Sequence, residues 1–143
     1  MRDSTSDNIA FVQSLYAAFG RGDVDAILAG VSPDVDWVNV GRPSDFASLG
    51  RRSGLDEVRA FFGVLADQAD FAEFSPDDFD AVGDKVFVEG HSRMRLKAGG
   101  PEVDTDWVHV FTVRGGKVVR FRDFTDTAQI AEAAAATRAL EPA

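Results

Sequence analysis

The sequence contains no cysteine, which excludes disulfide bonds, thiolate nucleophiles and thiolate metal sites. Basic residues are also scarce, since 15 lysines and arginines stand against 24 aspartates and glutamates, for a formal charge of −9. Nucleic acids and anionic membranes bind basic surfaces, so this balance argues against both as partners. No apolar run approaches the length of a membrane span, and residues 1–8 are too polar for a signal peptide. We therefore expect a soluble, cytoplasmic protein.

Residues 103–125 carry the clearest strand signal in the sequence. Two β-rich runs, residues 103–113 and 117–124, flank Arg114-Gly115-Gly116, and paired glycines between such runs predict a β-hairpin. Because side chains alternate across a strand, one face of the hairpin is predicted to carry Trp107, His109, Phe111, Val113, Val119, Phe121, Asp123 and Thr125. A histidine and an aspartate among aromatic side chains indicate a ligand pocket.

The remaining periodicity predicts three helices early in the chain and one at its end. The first helix has apolar residues at helical spacing, namely Ile9, Val12, Leu15, Tyr16 and Phe19. Further helices are predicted at residues 24–30, 55–69 and 127–140, strands at 35–40, 71–82 and 85–97, and a turn at Ser32-Pro33-Asp34. Helices grouped before strands favour an α+β class, with the helices covering one face of a curved sheet. The open end of such a cone is a natural small-molecule site.

One long segment has no regular pattern. Residues 41–54 are rich in glycine, arginine, serine and proline, and they are predicted to form a polar loop. A loop of this length in a compact domain is either disordered or a functional lid.

Two short motifs identify a family resemblance. The helix-Gly-Asp-helix start at residues 19–24 (FGRGDV) and the ending at residues 116–126 (GKVVRFRDFTD) resemble the NTF2-like superfamily, and within it the SnoaL-like polyketide cyclases and ketosteroid-isomerase-related proteins. The resemblance covers nearly the whole chain and implies a single domain over residues 1–143. It implies a cystatin-like α+β roll, in which a cone-shaped, mixed or antiparallel sheet wraps around the N-terminal helices. Members include cyclases, isomerases, dehydratases, epoxide hydrolases and binding modules, so fold alone does not determine the activity.

The resemblance gives roles to two residues of the hairpin. In SnoaL-like cyclases a histidine on the penultimate strand and an aspartate on the last strand face the cavity, and His109 and Asp123 stand at the matching places. Asp123 is then expected to remove a proton next to a carbonyl, while His109 polarises the oxygen that becomes an enolate. This chemistry needs no cofactor, and it is that of an isomerase, cyclase or lyase. The small apolar or aromatic metabolite is expected to bind against Tyr16, Trp37, Asn39, Phe61, Phe62, Trp107, Phe111 and Phe121, the aromatic ones as cavity walls.

Other activities of the superfamily fit the sequence less well. Ketosteroid isomerases have a catalytic tyrosine on the first helix and an aspartate base on the first strand. Leu15 occupies the first place, with Tyr16 one step away, and Asn39 occupies the second. Limonene-type epoxide hydrolases share the Arg-Asp-aromatic and aromatic-x-Asn motifs, but Ser92 and Gly90 replace their second aspartate and its arginine. Water activation by Asp123 and Asn39 stays an alternative, as does ligand binding without catalysis.

Purely structural roles are also open for the polar pair. Asp123 can cap the final helix or pair with an arginine of a neighbouring strand, and His109 can be a core histidine bonded to backbone. His91 falls on the opposite sheet face, where it is predicted to pair with Asp104 and Asp106, so we assign it no catalytic role. Two histidines on opposite faces also argue against a histidine metal site.

The outward face of the hairpin is unusually apolar. Val108, Val110 and Thr112 lie there, and members of the superfamily commonly dimerise through that surface. We expect a homodimer through the outer sheet face.

Overall fold

The computed structural model describes residues 4–140, which form four helices and one six-stranded sheet. The helices are α1 (Ser4–Gly20), α2 (Val24–Ala29), α3 (Gly54–Gln68) and α4 (Thr127–Arg138). The strands are β1 (Val31–Asn39), β2 (Gly50–Ser53), β3 (Ala69–Val82), β4 (Lys85–Leu96), β5 (Glu102–Arg114) and β6 (Lys117–Thr125). The sheet is curved and unclosed, which confirms the predicted α+β class. None of the helices in this range combines the length and the apolar character that a membrane span needs.

The predicted hairpin lies inside the sheet rather than at its edge. The strand order is β2-β1-β6-β5-β4-β3, with β1 and β6 parallel and the other neighbours antiparallel. Arg114 and Lys117 close the β5–β6 hairpin around Gly115 and Gly116, whose φ angles are 58° and 74°. Both central residues of a type I′ turn need positive φ, and glycine adopts it at no steric cost. The hairpin therefore brings two further strands, β1 and β4, alongside its polar pair.

Short polar side chains begin two of the helices. Asp23 accepts a hydrogen bond from the backbone N–H of Ala26 at 3.1 Å, and Asp126 accepts one from Gln129 at the same distance. Each carboxylate thus satisfies an N–H that has no partner within its helix. Since Asp126 is the residue that caps α4, Asp123 is free of that role.

The interior consists of two apolar clusters. The larger one lies where α1, α2 and α3 pack on the sheet, and it includes Val12, Val58, Val88 and Phe111. The smaller one joins α4 to the far end of β3, β4 and β5, and it includes Phe46, Leu96, Val103 and Ile130. Burying each such side chain contributes about 1.5–3 kcal/mol. The site described below is lined by residues of both clusters.

The sequence prediction was wrong in two places near β1. The predicted turn at Ser32-Pro33-Asp34 lies inside β1, whose pairing with β6 slips between Val31 and Asp36. The predicted loop at residues 41–54 also contains β2, because Gly50–Ser53 pairs with β1. Residues 41–49 form the rest of this loop. Two of them, Phe46 and Leu49, are buried in the smaller cluster, so the loop packs against the interior at these positions.

Near the hairpin turn, the buried face of β6 also differs from the prediction. Val119 was predicted to share the inner face with Phe121, but Val118 is the fully buried residue and Val119 is half-buried. The β5–β6 register shifts between Thr112 and Val113, so Val113 pairs with Val118. One extra residue in a strand reverses the alternation beyond it.

Candidate active site

The cone encloses a cavity of ≈ 140 Å³. Every residue predicted to form the site lines it: Asp123, His109, Tyr16, Trp37, Asn39, Phe61, Phe62, Trp107, Phe111 and Phe121. An engineered cavity of about 150 Å³ accommodates one benzene ring, so this cavity has close to the volume that a single ring needs. A larger ligand requires some lining side chains to move.

Several lining residues were not among the predicted site residues. Phe46, Leu49 and Ile130 come from the 41–49 loop and α4, and Ser92, Thr105 and Thr125 add hydroxyl groups. Alternation along β6 does place Thr125 on the face of Asp123, and the same alternation along β5 could have identified Thr105, which continues the face of Trp107. Nothing in the local sequence marks Phe46, whose position depends on how the loop folds across the sheet.

Asp123 is held by the neighbouring parallel strand. Asn39 lies directly across from it in the β1–β6 register, and the Asn39 Nδ2 donates to Asp123 Oδ2 at 2.9 Å. The Trp37 Nε1 donates to Asn39 Oδ1 at 3.1 Å. An indole nitrogen can only donate, so it requires the amide oxygen on its side and directs the amide NH₂ towards the carboxylate. The aromatic-x-Asn pattern of β1 therefore orients Asp123.

His109 faces the other carboxylate oxygen. The two residues are direct partners in the β5–β6 register, with His109 Nε2 at 3.2 Å from Asp123 Oδ1. Their alignment falls outside hydrogen-bond geometry, and Oδ1 is buried without a hydrogen-bond partner among the described residues. Such an oxygen is costly to leave unpaired, so it favours a donor supplied by a ligand or by a small shift of the histidine ring.

Tyr16 of α1 completes the network from the helix side. Its hydroxyl lies 2.7 Å from His109 Nδ1, and the two rings are nearly parallel, with centroids 5.9 Å apart. Burial raises the pKa of Tyr16, and the negative charge of Asp123 raises it further. The phenol therefore keeps its proton at every physiological pH. The prediction of Tyr16 as a wall alone was incomplete, because its hydroxyl bonds to the polar pair.

Trp107 forms the wall beside His109. Its indole stacks on the imidazole with centroids 3.9 Å apart and on Phe74 at 5.0 Å. Its Nε1 is buried and has no hydrogen-bond partner among the described residues. The stack fixes the plane of the imidazole between β5 and α1.

Within residues 4–140, the other acidic and basic side chains do not line this cavity. His91 lies on the outer face between Asp104, at 2.7 Å, and Asp106, at 2.8 Å, as predicted. The hydrogen bond with Asp106 is the main cause that raises the pKa of His91. Asp123 is the single carboxylate among the described residues that line the cavity. Ser92 and Gly90, which were compared with the second aspartate of the epoxide hydrolases and its arginine, carry no charge.

Comparison with known proteins agrees with this architecture. A family model described as SnoaL-like domain matches residues 12–121. No curated protein matches the chain significantly.

Solved structures give closer points of reference. An NTF2-like protein of unknown function from Burkholderia pseudomallei K96243 is 32% identical, with a TM-score of 0.79, over 88% of this chain and 95% of that one. An NTF2-like protein from Burkholderia xenovorans LB400 is 30% identical, with a TM-score of 0.82, over 91% and 97% of the two chains. TerC, co-crystallized with polyporic acid, is 29% identical, with a TM-score of 0.77, over 90% and 98%.

Proposed function

The chain belongs to the SnoaL-like domain family of the NTF2-like superfamily, and we propose that it is an enzyme that transfers a proton on a carbonyl compound bound in the cavity. One observation carries this proposal: a carboxylate with one buried, unpaired oxygen lies beside a histidine nitrogen in a wall of aromatic side chains. Proton abstraction next to a carbonyl needs a base within reach of the C–H and a donor near the oxygen. Asp123 and His109 provide both within one cavity.

The proposed reaction begins at Asp123. Its Oδ1 takes the proton from the carbon next to the carbonyl, and the C–H electron pair moves to form an enolate. The Nε2–H of His109 donates to the enolate oxygen, where the negative charge develops. In an isomerisation, Asp123 then returns the proton to a different carbon. In a cyclisation, the enolate carbon bonds to the carbon of a second carbonyl, whose oxygen takes the electron pair and then the proton from Asp123.

The ligand class follows from the cavity. Its wall is mainly aromatic and aliphatic. Its volume of ≈ 140 Å³ suits a ligand with one ring, and a larger ligand binds only if a lining side chain moves. TerC was co-crystallized with polyporic acid, and at 29% identity over 90% of this chain it provides a first candidate. We therefore propose an aromatic or apolar carbonyl compound as the substrate and polyporic acid as the first binding probe.

Tryptophan fluorescence and a substitution of Asp123 together test the proposal. Its two tryptophans, Trp37 and Trp107, both line the cavity, so intrinsic fluorescence reports directly on ligand binding. We expect Asp123→Asn to keep the affinity for a bound carbonyl compound within several-fold and to lower its turnover about 10²- to 10⁴-fold. Asp106→Asn removes a carboxylate from the outer face and serves as the matched control. Turnover by Asp123→Asn equal to that of the unmodified protein would refute the general-base role.

A ligand-binding protein without catalysis is the second candidate. Asp123 Oδ2, both polar groups of Asn39 and His109 Nδ1 already have partners within the protein, which favours a stable binding wall. This candidate predicts tight binding of the same ligands by both the unmodified protein and Asp123→Asn, with no turnover by either. Epoxide hydrolysis with a water held by Asn39 and Asp123 is third, because the cavity lacks a second acid among its described residues.

A further inference from the structure

We propose that Tyr16 is a positioning residue that sets the tautomer of His109, holding the ring hydrogen on Nε2, next to Asp123. The catalytic consequence of this inference depends on the proposed function, but the tautomer itself does not. Sequence patterns give no hint of it, because Tyr16 is on α1 and His109 is on β5, 93 residues apart.

The hydroxyl hydrogen of Tyr16 favours this tautomer. Tyr16 Oη and His109 Nδ1 are 2.7 Å apart, and either atom can be the donor in principle. Tyr16 keeps its proton because burial and the charge of Asp123 both raise its pKa. Among the described residues, His109 Nδ1 is the hydrogen-bond partner of this hydroxyl. If Nδ1 carried the ring hydrogen, the phenol hydrogen would have no acceptor there, and unpaired buried donors are strongly disfavoured.

The opposite side of the His109 ring, which faces Asp123, favours the same tautomer. His109 Nε2 lies 3.2 Å from Asp123 Oδ1, an oxygen that lacks any other partner among the described residues. A lone pair on Nε2 would face the negative oxygen and be repelled, whereas an N–H there is attracted to it. Both sides of the ring therefore favour the same arrangement, with Nδ1 as acceptor and Nε2 as donor.

This arrangement matters for the chemistry of the pair. The Nε2–H is close to Asp123 but poorly aligned with it, so it can donate to a ligand oxygen placed between them. The other tautomer would turn a lone pair towards that oxygen and lose the donor. Tyr16 thus acts through His109, and α1 contributes to a site whose reacting groups are both on the β5–β6 hairpin.

Nitrogen-15 NMR of labelled histidine tests the inference directly. The sequence has two histidines, so the spectrum holds two rings, and His91 on the outer face is an internal control. At pH 7.5 we expect His109 to show an unprotonated Nδ1 and a protonated Nε2. In Tyr16→Phe, which keeps the ring but loses the hydroxyl, we expect the ratio of the two tautomers to shift about fivefold or more towards Nδ1–H, with His91 unchanged.

A second substitution protects the test against a folding defect. The chain has a single tyrosine, so growth on 3-fluorotyrosine labels residue 16 alone and keeps its hydroxyl. The fluorinated phenol is the stronger donor, and we expect it to retain the Nε2–H tautomer and to shift the Nδ1 resonance. A protonated Nδ1 in the unmodified protein, a doubly protonated ring, or an unshifted Nδ1 resonance with 3-fluorotyrosine would each overturn the inference. If Asp123→Asn keeps full turnover while the tautomer is as described, the proposed function fails and this inference stands.

Discussion

Gly90 makes room for the tryptophan that packs beside the polar pair, and adding one methyl group there tests that packing. It lies across from Trp107 in the β4–β5 register. A Cβ built at this position would come within 3.0 Å of two indole carbons of Trp107 and 2.6 Å from the carbonyl oxygen of Ser75. The shortest usual contacts between carbon and a carbonyl oxygen are about 3.3 Å, so the overlap with Ser75 is about 0.7 Å. Ser75 belongs to the neighbouring strand β3 and cannot retreat without breaking its pairing.

The size of the effect follows from this crowding. The indole cannot move away freely, because it is stacked between His109, at 3.9 Å, and Phe74, at 5.0 Å. Overpacking of this kind costs about 1–3 kcal/mol. Replacing glycine with alanine also lowers the conformational entropy of the unfolded chain, and this stabilises the folded protein by about 0.4–1 kcal/mol. We therefore expect Gly90→Ala to lower the free energy of unfolding by about 1–2 kcal/mol, measured by urea denaturation with an unchanged m-value.

A glycine elsewhere in the chain provides the control. Gly63 is exposed in the middle of α3, and a Cβ built there meets nothing within 4 Å. Gly63→Ala should raise the free energy of unfolding by up to about 1 kcal/mol, because alanine is the better helix former. If Gly90→Ala were as stable as the unmodified protein, with the same near-ultraviolet circular dichroism, the packing role of Gly90 would be wrong.

Three further predictions concern the outer face. The hydrogen bond from Arg122 is the main cause that lowers the pKa of Asp36 from 3.8, so the pair stabilises the fold above about pH 4 and less as the pH falls. Arg122→Met should therefore lose most stability in urea at pH 7 and less at pH 3, and a loss independent of pH would contradict this. Asp106 raises the pKa of His91 above 6.5, so that pair stabilises the fold fully below pH 6 and less as the pH rises. His91→Gln should cost stability at pH 5.5 but little at pH 9, and equal losses would contradict it. We also propose a homodimer through the outer face, which Val110→Glu should dissociate in sedimentation velocity at micromolar concentration. A monomeric unmodified protein would remove that proposal.

Much of the fold was predictable because it depends on local patterns. Alternation along β5 and β6 places Trp107, His109, Phe111 and Asp123 on one face, and the structure places all four on the cavity wall. The two glycines predicted the turn that pairs the strands. These features depend only on the two-residue period of a strand and on the φ angles that glycine permits.

The rest depends on contacts between distant elements. The sequence does not determine how α1 is rotated over the sheet, and so it does not show whether Leu15 or Tyr16 meets the polar pair. In the structure Leu15 is buried in the core, and the Tyr16 hydroxyl reaches His109. The short strand β2 has a polar sequence, and it forms through pairing with β1. The bulge that buries Val118 in place of Val119 has no signal in the sequence, because both residues are valine.

Hydrogen exchange on a bound ligand tests directly whether Asp123 removes a proton from carbon, as we propose. A carbonyl compound that quenches the fluorescence of Trp37 and Trp107 is incubated with the protein in D₂O, and proton NMR follows the signal of the hydrogen next to its carbonyl. We expect the unmodified protein to accelerate the loss of that signal, and Asp123→Asn to slow the loss at least about 100-fold while still quenching. Equal exchange rates for the two proteins, with binding intact, would contradict the role of Asp123 as the base.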